Sequence, residues 1–239
     1  MTHKHLKVYH SRKHLAITIF FVVIPFLFLF VFSRVAHIES DTLFYDLFIS
    51  LVRLIVSYII AVCVGLFLAL IFFRGKRALI ALPFFDVLQS FPTFAALPLA
   101  VYFFGQSTFV VILFLSINIL WPILFSVLSA LRMIKSDWED AVTIVGLGGF
   151  AYIRHFLWPL SLPALVTGSV IGLGEGWEAL IATEIIVNMK TGLGSFFQSH
   201  SSQTFVTVFG ILGFLIIIFS INKLVWIPLM ERSHRLMEE

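Results

Sequence analysis

Charged residues are scarce in this sequence. They make up 12% of its 239 positions, about half the fraction found in soluble domains. With 60% hydrophobic residues, 28 phenylalanines and a mean hydropathy of +1.04, the composition is typical of a chain embedded in lipid. The net charge of +3 is weak support for nucleic acid as a partner, and we expect none.

Other features are also missing. The single cysteine, Cys63, lies in an apolar run and cannot form an internal disulfide. The sequence has no G-x-x-x-x-G-K-[ST] phosphate loop, because Gly75-Lys76 is followed by Arg77 and no glycine stands five residues before Gly75. We therefore expect no ATP hydrolysis by this chain. An integral membrane enzyme is disfavoured, since no clustered His/Cys pattern or nucleophile–base pair is evident, and no metal or cofactor is predicted.

Long apolar runs are what the sequence does contain. A spanning helix needs about 20 mostly apolar residues, and six runs qualify, which predicts an all-α integral membrane protein. They are Leu15–Phe32, Leu47–Phe73, Leu79–Phe104, Phe109–Leu131, Leu162–Val187 and Phe205–Leu229. The first run is longer than a usual signal-peptide core and lacks a clear cleavage site, so we expect a retained helix.

The basic residues between these runs predict the orientation. Counted by side, twelve fall on one face (Lys4, Lys7, Arg12, Lys13, Arg74, Lys76, Arg77, Arg132, Lys135, Arg154, Arg232 and Arg235) and two on the other (Arg34 and Lys190). Cytoplasmic loops carry the excess of Lys and Arg, so both termini are expected in the cytoplasm of a multi-pass cell-membrane protein. We expect one membrane domain over 45–230, preceded by a tail and extra helix over 1–44 and followed by a tail over 231–239.

The loop between the fourth and fifth runs has mixed polarity and a folded pattern. Ser136 to Glu139 resembles a capping box, and Trp138, Ala141, Val142 and Val145 form an apolar stripe. The glycines from Gly146 to Gly149 predict a sharp turn. A second short helix is expected over Phe150–Trp158, broken or kinked by Pro159 and Pro163 before the fifth span. A simple interfacial amphipathic loop is the alternative.

The spacing in this loop resembles the Glu-Ala-Ala loop of ABC importer permeases. Asp140, Ala141, Gly146 and Pro159 fall at the matching offsets, with Asp140 in place of Glu and Val142 in place of the second Ala. Two more segments resemble the sulfonate, nitrate and taurine branch. One is "SFPTFAALPLAVYFFG", through Pro92, Ala96, Pro98 and Gly105, and the other is "GWEALIATEIIVNMKTGLG", through Trp177, Glu184 and Gly192-Leu-Gly194. Pro163, four residues after Pro159, also suits this branch.

The resemblance implies a type I ABC importer permease fold, with a cytoplasmic coupling helix between spans four and five. It further implies separate ABC ATPase subunits docked on that loop, a substrate-binding protein at the opposite face, and a permease homodimer. By the branch resemblance, the cargo is a small anion such as a sulfonate, nitrate or taurine. A cationic or neutral cargo is the alternative, as is a membrane scaffold that recruits a cytosolic partner through residues 136–163.

Acidic residues distinguish the fifth span from the others. Glu175, Glu178 and Glu184 lie in it, and a charge at mid-bilayer costs at least ~2.5–3.5 kcal/mol. We expect them to face a cavity, a partner helix or the water boundary. Glu184, Glu178 and the neighbouring Trp177 are candidates for a translocation path or gate. Pairing with a cation such as Arg53 is the structural alternative. Gly168, Gly172 and Gly176, spaced by four, predict close helix packing.

Overall fold

In the computed structural model the backbone is described for residues 2–238 and the side chains for 18–233. The regular structure of this part of the chain is helical throughout. The helices are α1 Thr2–Val35, α2 Ser40–Phe72, α3 Gly75–Gln89, α4 Thr93–Phe104, α5 Thr108–Arg132, α6 Ser136–Ile144, α7 Gly149–Tyr152, α8 Trp158–Ile186, α9 Leu193–Ser199, α10 Thr204–Ile221 and α11 Ile227–Glu238. Two π-helical segments, Ile153–Leu157 and Asn222–Trp226, join α7 to α8 and α10 to α11.

Five described helices are long and apolar enough to cross a membrane. These spans are Thr18–Val35, Ser40–Phe72, Thr108–Arg132, Gly149–Ile186 and Thr204–Ser233. A sixth results if α3 and α4 are counted together as one span. The predicted all-α membrane fold is therefore confirmed, and the retained first helix is among the candidate spans.

The third predicted span is not the continuous helix that its hydropathy indicated. α3 and α4 meet at an angle of 80° across residues 90–92. The break falls at Ser90-Phe91-Pro92, where Pro92 has no N–H to continue the helix and restricts the residue before it. Mean hydropathy over a window of spanning length does not detect this break, because the apolar residues of α3 and α4 on either side of it dominate the average.

α5 is the central helix, packed against both α2 and α8, which also contact each other. Gly168 and Gly172 lie where α8 crosses α5, and the third glycine, Gly176, faces the Ile119 side chain. A Cβ on Gly168 would lie 2.8 Å from the Ile123 Cα, and one on Gly172 would lie 2.8 Å from the Ile119 carbonyl oxygen. The close packing predicted from the four-residue spacing is confirmed, since a side chain would push these helices apart.

The two prolines before the fifth span do not interrupt it. The helical path is continuous from Gly149 to Ile186, so the predicted break at Pro159 and Pro163 is wrong. Pro159 lies in the first turn of α8, just after the π-helical segment. The Ser161 hydroxyl donates to the Trp158 carbonyl at 2.9 Å, and the Thr167 hydroxyl donates to the Pro163 carbonyl at 3.0 Å. The π-helical segment directly before Pro159 is a local adjustment of the kind that allows proline within membrane helices.

Two glycine substitutions in α8 test the close crossing. Gly168→Ala is expected to lower the free energy of unfolding by about 1–3 kcal/mol, because the new Cβ clashes with the α5 backbone. Gly174→Ala is the matched control, since nothing lies within 4 Å of its Cβ position. It should leave stability unchanged or raise it by up to about 1 kcal/mol through helix propensity. Thermal unfolding of the purified protein in detergent measures both, and equal effects would contradict the packing described.

Candidate functional site

The segment from α6 to the start of α8 forms a helix–turn–helix, as predicted. The turn follows Ile144, and Gly146 has φ +73°, a backbone conformation that glycine adopts without strain. The N–H of Gly146 donates to the Thr143 carbonyl at 3.0 Å and that of Leu147 donates to the Val142 carbonyl at 3.1 Å. Both bonds satisfy carbonyl groups at the end of α6. The glycine turn therefore reverses the chain directly into α7.

The predicted capping box is wrong. α6 begins at Ser136 itself, and Lys135, the residue before it, makes no side-chain cap. The Glu139 carboxylate instead forms an ion pair with Arg74, whose other guanidinium nitrogen, Nη2, donates to the Tyr152 hydroxyl at 2.9 Å. Arg74 thus connects the junction of α2 and α3 to both α6 and α7. The electrostatic attraction of Arg74 takes Glu139 away from its own helix terminus.

The apolar side of this loop is uncovered in the single chain. The exposed fractions are 48% for Trp138, 85% for Ile144 and 74% for Phe150. Of the five loop residues singled out by sequence, Asp140, Ala141, Gly146 and Pro159 are exposed and Pro163 is buried inside α8. Large apolar side chains beside exposed polar ones are the composition of a protein-docking surface. The α6 side of the molecule therefore offers a folded and unpartnered contact surface.

Glu184 lies in a buried polar network near the other end of α8. It is 0% exposed, and its carboxylate pairs with Arg53 Nη1 of α2 at 2.6 Å. Ser50 Oγ donates to the same carboxylate, 2.8 and 2.9 Å from its two oxygens, and the Gly194 N–H donates to it at 2.8 Å. A buried charge is tolerated when it is paired and hydrogen-bonded in this way.

The same network fixes the turn between α8 and α9. Arg53 Nη1 donates to the Thr191 carbonyl at 2.8 Å, and the Gly192 N–H donates to Asp46 Oδ1 at 2.7 Å. Gly192 has φ +117°, and a Cβ there would lie 2.6 Å from both Glu184 carboxylate oxygens. Only glycine fits this position. α2, α8 and the turn at 191–194 are thereby held together by a small set of polar groups.

The three candidates for a translocation path divide between two faces of α8. Trp177 is buried, and its ring packs edge-on against Phe214 with 5.0 Å between ring centroids. Glu184 shares this buried face, seven residues further along. Glu178 is on the exposed face, together with Glu175. The structure therefore brings Glu184 to Arg53 and keeps it apart from Glu178.

Sequence reasoning named Arg53 as a possible partner of Glu184 but missed Asp46, Ser50 and the Arg74–Glu139 pair. Two signals for them were present in the sequence: Asp46 directly precedes the second predicted span, and Arg74 directly follows it. Within residues 18–233, no group of three His, Cys, Asp or Glu side chains is arranged to hold a metal ion.

One known protein family matches most of this chain. The family described as "Binding-protein-dependent transport system inner membrane component" matches residues 61–227. This chain belongs to that family. The matched region runs from the middle of α2 through α10, so it includes α6, the Gly146 turn and Glu184.

Relatives of this inner membrane component are permease proteins. The chain is 27% identical to the bicarbonate transport system permease protein CmpB of Synechococcus elongatus, over 69% of this chain and 60% of the relative. It is 27% identical to the nitrate import permease protein NrtB of Synechocystis, over 68% and 59%. It is 32% identical to the taurine transport system permease protein TauC of Escherichia coli, over 57% and 50%. The chain spans about three fifths of the length of the first two relatives.

Removal of Arg53 tests the buried network. Arg53→Leu is expected to lower the free energy of unfolding by about 3–5 kcal/mol, because Glu184 would remain buried without its cation. Adding Glu184→Gln in the same chain should recover part of that loss, since the amide oxygen can still accept from Gly194. Arg74→Leu is the control, since an exposed pair contributes about 0–1 kcal/mol. Thermal unfolding in detergent compares the three, and a loss for Arg53→Leu no larger than for Arg74→Leu would contradict this account.

Proposed function

We propose that this chain is the membrane-spanning permease subunit of an ATP-driven ABC importer, and that separate ATPase subunits dock on the loop from α6 to α8. The observation that carries the proposal is the exposed apolar side of α6, outside the candidate spans, and of α7, at the start of the Gly149–Ile186 span; both lie within the family match. The contact residues assigned to that docking are the exposed Asp140, Ala141, Gly146 and Pro159, whereas Pro163 is buried in α8 and is not assigned a contact. The ATPase binds and hydrolyses ATP, and this chain moves in response.

The helix geometry supports a mechanical role for the loop. α7 continues through the π-helical segment into α8, so a displacement at Gly149 is passed along one helix to Ile186. Arg74 connects the same loop to the end of α2. A push or pull on α6 by a closing ATPase pair would therefore act on α2 and α8, which both pack against α5.

The excess of basic residues on the α6 side supports a cytoplasmic position for that side and for both termini. We assign 45–230 as the permease domain, with 1–44 and 231–239 as additions to it. A substrate-binding protein would then deliver the cargo at the opposite face, where the 191–194 turn and α9 lie. The permease relatives for bicarbonate, nitrate and taurine support a small anionic or sulfonate-type cargo.

A homodimer is supported by the exposed polar face of α3 and α8. Asp86, Glu175 and Glu178 are exposed in the single chain although they lie within candidate spans. Carboxylates are too costly to leave against lipid, and a second copy packed on this side would enclose them around a path. We assign Glu178 to that path, while Glu184 and Trp177 hold the surrounding helices in position.

Substitution at Gly146 tests ATPase coupling. Gly146→Val is expected to abolish ATP-dependent uptake, because φ +73° is strained for a branched side chain, and the turn would shift α6. Gly148→Val is the matched control, since Gly148 has an ordinary extended φ of −136° and nothing lies within 4 Å of its Cβ position. It should retain most uptake. Membrane insertion of both variants is checked by their yield in the membrane fraction.

Normal uptake by Gly146→Val would contradict the coupling role. The complementary measurement is purification of the chain from its host membranes, which should bring down a protein with its own phosphate loop. Repeated absence of such an ATPase would favour a scaffold that recruits another cytosolic partner through residues 136–163.

A further inference from the structure

A cavity of about 470 Å³ opens on the α6 side of the molecule, where the ends of several helices meet. The residues after α2, the first turns of α3, the end of α5 and one residue of α6 line it. Among them, Phe73 and Leu131 belong to the same buried apolar cluster. Arg74 and Arg132, each the next residue along the chain, line the cavity as well. Arginines from two separate parts of the chain therefore reach one cavity at the same level.

This level is the boundary of the bilayer. The candidate spans of α2 and α5 end at Phe72 and Arg132, so Arg74 and Arg132 are the charged side chains at the ends of these two spans. An arginine near the end of a spanning helix extends its charged group to the headgroup layer. The cavity therefore opens at the depth of the lipid phosphates.

The two arginines differ in what they can still bind. Arg74 forms the ion pair with Glu139, and its Nη2 donates to the Tyr152 hydroxyl at 2.9 Å. Its guanidinium also lies over the Phe73 ring, 4.9 Å from the centroid. Arg132 is exposed and forms no ion pair or side-chain hydrogen bond within residues 18–233. Its N–H donors are therefore free for an anion, and a guanidinium suits a phosphate because it can donate two parallel hydrogen bonds.

Basic residues surround the opening of the cavity. The exposed ones next to its lining are Lys76, Arg77 and Lys135. Among the acids of α6, Glu139 lines the cavity and is paired with Arg74, whereas Asp137 and Asp140 are exposed and do not line it. The charge left unpaired at the cavity is therefore that of Arg132. A concave surface with an excess of positive charge attracts anions.

An apolar surface continues from the cavity along α3. Leu79 lines the cavity and is exposed, and Ile80 and Phe84 are exposed as well. α3 is the first half of the bent span, so these side chains extend from the boundary into the hydrocarbon layer. A cationic pocket at headgroup depth, with an apolar surface directly beside it, has the chemistry of a phospholipid site.

We propose that this cavity binds the headgroup of an anionic phospholipid. A phosphate oxygen accepts from Arg132, and an acyl chain lies along Leu79, Ile80 and Phe84. Basic pockets between spanning helices bind anionic headgroups in this way. Phosphatidylcholine carries a trimethylammonium group that the basic rim repels, so the site favours phosphatidylglycerol. The proposal goes beyond the importer function and does not depend on it.

Photo-crosslinking tests the lipid site. The full chain, with any subunits that stay bound to it, is placed in phosphatidylcholine vesicles that contain a trace of phosphatidylglycerol with a diazirine near the start of one acyl chain. After illumination, the labelled peptides are identified by mass spectrometry. Labelling is expected in α3, and unlabelled phosphatidylglycerol should reduce it at least about threefold more than the same amount of added phosphatidylcholine.

Two arginine variants test the position of the site. Arg132→Gln is expected to reduce the labelling of α3 about fivefold, which is the factor that one basic residue contributes at an anionic surface. Arg154→Gln is the matched control, because Arg154 is an exposed arginine of the π-helical segment before α8 and does not line the cavity. It should leave the labelling unchanged. Thermal unfolding in detergent checks that both variants are folded, as expected for exposed side chains.

Three results would overturn the proposal. Equal competition by the two lipids would mean that lipid only covers an apolar surface, and equal losses in the two variants would mean that the charge of the whole side is responsible. If inorganic phosphate, at matched ionic strength, removes the labelling as well as phosphatidylglycerol does, the cavity is a site for a free anion. None of these results depends on ATPase binding, so failure here leaves the importer assignment standing. Conversely, absence of an ATPase on purification would leave the lipid site intact.

Discussion

Polar groups inside a bilayer have no water to bond with unless the protein brings water in, and this constraint explains the main features of the structure. Arg53 and Glu184 are buried as a pair, and Ser50 and the turn at 191–194 form further hydrogen bonds with them. Glu175 and Glu178 lie on the exposed face of α8 and form no ion pair among the described side chains. Pairing therefore marks the structural sites, and its absence marks the candidate path.

α8 connects all of these sites on one helix. Its continuous path begins next to the exposed α6–α7 loop, passes the α5 crossing at Gly168 and Gly172, and then passes Glu175 before it ends in the Glu184 network. The glycine crossing holds α8 against the backbone of α5, so the two helices cannot shift freely along one another. A displacement of the loop would reach Glu175 and the opposite face together. This arrangement is what a subunit driven by an external ATPase requires.

Local sequence patterns predicted the loop well and the spans nearly as well. The apolar stripe, the glycine turn at Gly146 and the helix–turn–helix follow from residues close together in sequence, and the structure contains them. The capping box at Ser136 was wrong because Arg74, 65 positions before Glu139, attracts that carboxylate. The predicted break at Pro159 was wrong because the π-helical segment Ile153–Leu157 leads the chain into α8 without a break. In both cases an interaction outside the pattern outweighed the local preference.

The sequence by itself determined the helical membrane class, the number of apolar runs and the position of the exposed loop, since hydropathy and turn chemistry are properties of neighbouring residues. Only the tertiary structure decided the roles of the acids in the fifth span. Glu184 pairs with Arg53 across 131 positions of sequence, and Glu175 lines one cavity with Gln89 of α3 and Asn118 of α5, beside a helix break that hydropathy did not indicate. Glu175 and Glu184 are both glutamates of α8, but they lie on different faces of it. Glu184 lies on the buried face and forms an ion pair with Arg53, whereas Glu175 lies on the exposed face and forms no ion pair among the described side chains.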